Sequence, residues 1–213
     1  MTFIDRPGAG LPRAPVTVDL DDIQATVLRH RPEPYYGTHI MLHVDEAKGG
    51  REFVRRVTPH VDSAAGQQAG KSWISVAISY AGLVALGVPE DSLLSFPEAF
   101  RAGMAAFGSG LIHIGVSVFS DSESMCRRTM GTARRQYEGF PGVTVLIEQD
   151  FGAQPGDLNP LSEAGVPLPM PRPDVLGRNG AFMNLGSETF NGLRGGEYFF
   201  MPSLSALRWL ADL

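Results

Sequence analysis

Leu111-Ile-His-Ile-Gly-Val-Ser-Val-Phe119, followed by Ser120-Asp-Ser-Glu123, is the stretch on which the fold turns. Ile112, Ile114, Val116 and Val118 occupy alternate positions, and His113 falls on the opposite side. That period of two belongs to a half-buried strand. Ser120 and Glu123 then stand at capping-box spacing and predict a helix that runs to about Tyr137. Gly139–Gly142 turns the chain, and a further strand is expected over 143–148.

The same alternation recurs upstream. In Thr38–Val44, Ile40, Leu42 and Val44 point one way while His39, Met41 and His43 point the other. Over 73–79, Ile74, Val76 and Ile78 share a face. A helix of 47–61 is expected between these strands, with Phe53, Val54, Val57 and Val61 on one side. Tyr80–Leu86 reads as a short helix stopped by Gly87, and 97–106 as another. Strand, helix, strand, strand, helix, strand is the split βαβ pattern. It predicts an α+β, ferredoxin-like antiparallel sheet with helices on one face. Phe53, Val57, Ile114, Val116 and Ile147 should share its core.

The chain changes character past residue 151. Six prolines between Pro155 and Pro173 exclude a helix or a central strand there. Ala181–Leu185 reads as a short strand, and Arg194–Pro202 as a strand entered through glycines. Ser203 can cap a final helix that buries Leu204, Leu207 and Leu210. The expected organisation is an arm over 1–21, a ferredoxin-like domain over 22–151, a Pro-rich linker over 152–176 and a partial C-terminal domain over 177–213.

Composition narrows the function classes. The 213 residues carry a formal net charge of -5 and are 43% hydrophobic, so a packed core is affordable and a nucleic-acid footprint is absent. No apolar run approaches the roughly 20 residues of a membrane helix. The N-terminal stretch does not read as a signal or transit peptide, and a single cysteine, Cys126, points to a reducing compartment. A cytoplasmic location is the expectation.

Few residues suggest chemistry. His39, His43 and His113 converge on one sheet face, and imidazole is the commonest metal ligand. His39 and His43, four apart on a strand, lie about 13 Å from each other, so one ion would need His113 plus just one of them. The plainer reading is that this face packs and its histidines are buried. Cys126 stands beside Arg127 and Arg128, whose charge could lower its pKa, but a buried or merely tolerated cysteine is the plainer reading. Gly177–Gly180 is a turn signal with amides that suit an anion, and Glu197–Pro202 is an apolar run that fills core or lines a pocket. From these residues alone, catalytic and cofactor-binding positions are unknown and no metal site is expected.

Longer blocks carry a resemblance. Asp22–Arg29, Tyr36–Leu42, Ser79–Pro89, Phe96–Met104, Phe151-Gly152, Gly177–Gly180 and Gly195–Ser203 resemble, in order, segments of dye-decolorising (DyP-type) haem peroxidases. The resemblance implies ferredoxin-like domains of the dimeric α+β barrel type, with haem b in the second. It implies oxidation of an organic reductant by hydrogen peroxide, and self-association into a homo-oligomer. The family's iron has a proximal His, and a distal Asp and Arg handle the peroxide. Here the chain departs from the pattern. The Gly-x-x-Asp-Gly motif that carries the distal Asp does not follow Phe151–Leu161, and no histidine follows His113. Only 13 residues separate Gly180 from Arg194, where the proximal His and most of a second domain would stand. The chain thus resembles a shortened member, with a remnant of the second domain. None of the family's catalytic residues carries over to a position in it. A haem-free, non-catalytic α+β scaffold or assembly module is the alternative.

Overall fold

The computed structural model describes residues 19–25, 34–67, 71–96, 100–101, 111–153, 181–185 and 197–213. The expected helix at 97–106, the Pro-rich stretch, the Gly177–Gly180 turn and His30 lie wholly or mostly outside these residues.

Six strands form one antiparallel sheet: β1 (Tyr35–Val44), β2 (Ser72–Ile78), β3 (Ile114–Ser120), β4 (Val143–Ala153), β5 (Ala181–Leu185) and β6 (Glu197–Met201). Their order is β4-β1-β3-β2-β6-β5. The first four follow the ferredoxin-like order, with β1 and β3 adjacent as the split βαβ pattern requires. Helices α1 (Ala47–Val57), α2 (Tyr80–Ala85), α3 (Glu90–Leu94), α4 (Glu123–Tyr137) and α5 (Leu204–Asp212) complete the described elements.

Helices cover one face. The aliphatic sides of β1, β2 and β3 meet Phe53, Val54 and Val57 of α1, Cys126, Met130 and Ala133 of α4, and Leu207 and Leu210 of α5 in a single core. Phe53 is fully buried there, worth roughly 2–3 kcal/mol relative to exposure. A smaller cluster on the opposite face joins Met41, Ala77, Ile112, Phe199 and Met201. The strand alternation therefore holds, with Ile112 as an exception: it precedes β3 and packs in this second cluster.

Three local expectations need correction. Ile147 is 36% exposed and lies outside the core. Met41 pairs with Ile147 but Leu42 pairs with Val145, so Leu146 is an extra residue in β4. That bulge reverses the alternation, and it puts Glu148 opposite Ile40 on the helix side. The helix expected over 47–61 ends at Val57 and tightens into a 3-10 turn over Thr58–His60. The N-cap of α4 is Ser122, not Ser120. Ser120 ends β3, and its hydroxyl accepts the Ser122 N–H at 3.1 Å.

The segments around Asp22 and Ser205 meet beside β6. β6 pairs with β2 through Ile78 and Phe200, and Ser203 caps α5 by accepting the Ala206 N–H. Asp22 receives the Ser205 N–H and hydroxyl at 2.7 and 2.8 Å. Arg55 of α1 donates to the Ala211 carbonyl at the other end of α5. Gly82 lets α2 approach β3: a Cβ there would stand 2.0 Å from the His113 carbonyl oxygen.

Candidate functional site

The sheet face opposite the helices carries the histidines, as the alternation predicts. His39 pairs with Ser117 across β1 and β3, and its Nδ1 lies 2.7 Å from the Ser117 hydroxyl. It is buried, with its ring edge-on to Phe119 at 5.9 Å between centroids. His43 and His113 stack with ring centroids 4.3 Å apart. The structure thus brings these two together and leaves His39 further along β1.

Hydrogen bonding assigns their protons. The Leu111 carbonyl can only accept, so His43 donates to it through Nδ1 at 2.8 Å. His113 does the reverse: its Nδ1 accepts the Val44 N–H at 2.9 Å, which leaves its proton on Nε2. A metal-bound imidazole binds through a bare nitrogen while the other nitrogen donates. His113 meets that requirement only if the Val44 bond breaks. His43 has the right polarity, and His113 stacks on one face of its ring. His60 is exposed at the end of the 3-10 turn. No three His, Cys, Asp or Glu side chains gather for a metal ion among the described residues. Of this stacked pair, His43 alone has the polarity of an axial imidazole.

A cavity of about 400 Å³ opens elsewhere, between α4 and the start of β1 and the end of β4. Cys126, Met130 and Gly37 line its buried side, with Tyr36, Thr38, Glu123, Arg127, Arg134 and Asp150 around them. Thr38 donates to Asp150 Oδ1 at 2.6 Å. Burial, and then the charge of Asp150, push the Cys126 thiol up, so it stays protonated and apolar. The neighbouring Arg127 and Arg128 do not lower it; Arg127 pairs instead with Glu123.

At one end of the cavity Arg134 pairs with Glu148, and the Tyr137 hydroxyl donates to Glu148 Oε2 at 2.8 Å. The Arg134 guanidinium, and then the Tyr137 hydroxyl, hold Glu148 below the usual carboxylate range against the cost of its partial burial. Tyr137 is pushed up by burial and by Glu148. Neither the cavity nor this trio is anticipated by the sequence reading. Arg127 and Arg134, seven apart, mark one helix flank, but the bulge in β4 hides that Glu148 and Asp150 face it. The apolar run Glu197–Pro202 supplies core: Phe199, Phe200 and Met201 are each 1% exposed.

No family model and no curated protein matches the chain. Solved structures do match it. A crystal structure of DyP shares 18% identity over 66% of this chain and 35% of that one, with a TM-score of 0.53. An ancestral D-type dye-decolorizing peroxidase shares 20% identity over 66% and 36%, with a TM-score of 0.54. A variant of the dye-decolorizing peroxidase from Pleurotus ostreatus shares 15% over 66% and 37%, with a TM-score of 0.52. At such identities the likeness is one of fold. The match spans about a third of the length of these structures. No helix among the described residues is long and apolar enough to cross a membrane.

Proposed function

We propose that this chain serves haem-dependent peroxidase chemistry of the dye-decolorising type. Hydrogen peroxide takes electrons and protons from a small organic donor and leaves as water. The observation that carries this reading is the shared fold: DyP structures match about two thirds of this chain, whose β4-β1-β3-β2 sheet has its helices on one face. The sequence blocks that resemble the family fall in family order along it.

In this reading the described residues form the ferredoxin-like half that such an enzyme builds on. They ligate no iron in this reading, since the resemblance assigns haem to the second domain. Haem b, hydrogen peroxide, an organic reductant, a homo-oligomer and a cytoplasmic setting all belong to the proposal.

One observation favours a second reading, a haem-free α+β scaffold. The three sheet-face histidines are hydrogen-bonded through Nδ1 to Ser117, Leu111 and Val44, contacts that tie β1 to β3 and the residues before it.

The purified chain, incubated with haemin and desalted, separates the two. A retained Soret band, with peroxide-dependent bleaching of an anthraquinone dye above that of free haemin, supports the peroxidase. No retained haem and no bleaching supports the scaffold.

A further inference from the structure

We propose that the cavity between α4 and the Asp150 end of β4 binds a zwitterion of amino-acid size, its carboxylate on Arg127 and its ammonium on Asp150.

The helix flank and the edge strand face each other as a ladder of charges with one rung open. On the closed rung Arg134 of α4 meets Glu148 of β4. On the other, Arg127 turns along its own helix to Glu123, and no ion pair joins it to Asp150 among the described residues. The cavity of about 400 Å³ has Arg127 and Asp150 in its lining. A cation on one wall and an anion on another select a ligand that carries both charges.

Each end is prepared for exchange. The Arg127 and Glu123 side chains are 79% and 55% exposed, and water screens such a pair, so a ligand carboxylate displaces Glu123 at little cost. Thr38 is 3% exposed, and its hydroxyl holds Asp150 Oδ1 while Oδ2 is left to accept an ammonium. Between the charged ends, Cys126 and Met130 are each 4% exposed, and Gly37 contributes no side chain. With Tyr36 beside them, they suit an aliphatic or thioether side chain.

Isothermal titration with L-leucine tests the assignment. 4-Methylpentanoate, which lacks the ammonium, and 3-methylbutylamine, which lacks the carboxylate, serve as controls. Leucine should bind saturably in the millimolar range, and each control about tenfold more weakly or worse, the loss of one charge-assisted bond. Arg127→Gln should bring leucine down to the level of the amine, and Asp150→Asn to the level of the acid. Circular dichroism and Tm, both near wild type, show that each variant folds. No saturable leucine binding up to about 10 mM would overturn the proposal. So would controls that bind as well as leucine, or variants that bind it unchanged.

Discussion

The side chain of Gln24 bonds to both backbone groups of Val76: its Oε1 accepts the Val76 N–H at 2.7 Å, and its Nε2 donates to the Val76 carbonyl at 2.8 Å. The same Nε2 donates to the Pro202 carbonyl at 2.6 Å. One amide thus fills the place of a strand residue between β2 and β6, whose own ladder has a single pair. Gln24→Ala leaves the Val76 N–H and two carbonyls unpaired at a buried site. We expect a loss of about 2–3 kcal/mol in urea denaturation. A loss below about 0.5 kcal/mol would show that water replaces the amide.

Gly82 supports a second expectation. Its position beneath the His113 carbonyl leaves no room for a methyl group, and the obstacle is backbone. Gly82→Ala should cost about 3 kcal/mol by thermal or chemical denaturation. Gly131→Ala is the control: a Cβ there meets nothing within 4 Å, and it should stabilise α4 by up to about 1 kcal/mol.

Glu148 predicts a pH dependence. Arg134 and Tyr137 depress its carboxyl, so the stability it contributes is present above the ordinary glutamate value of 4.5. It is lost as pH falls from there through the depressed folded value. Wild type should exceed Glu148→Gln by about 1 kcal/mol at pH 7, and the gap should close below pH 4.5. Asp62 runs the other way: burial raises it, so its contribution weakens as pH rises through the aspartate range. It is common to both proteins and cancels in the difference. A gap that widens on acidification would contradict the assignment.

The strands were legible because a half-buried sheet writes its faces at every second residue. Ile40, Leu42, Val44, Ile74, Val76 and Ile78 all lie in the core their alternation predicts. The final helix was legible for a similar reason: the Ser203 cap and the spacing of Leu204, Leu207 and Leu210 agree with each other. β4 was not, because one bulged residue changes which side Ile147 and Glu148 take, and no local propensity marks the bulge. The candidate site was less legible still. The Gln24 bonds span 52 and 178 residues, and Thr38 and Asp150 meet across 112. Such pairings depend on register, which only the assembled sheet defines. The histidine face was read correctly as a face, but which nitrogen carries each proton depends on Leu111 and Val44, whose backbone groups no side-chain pattern reveals.

The chain has the fold of dye-decolorising peroxidases, and the central proposal is that its sheet-face histidines tie β1 to β3 and do not hold iron. The visible spectrum of the haemin-incubated chain tests it most directly, recorded for wild type and for His39→Ala, His43→Ala and His113→Ala. The account predicts one spectrum for all four proteins, whatever its Soret intensity. Loss of a wild-type Soret band in any one variant, with the circular dichroism of a folded protein, would contradict it and make that face a haem site.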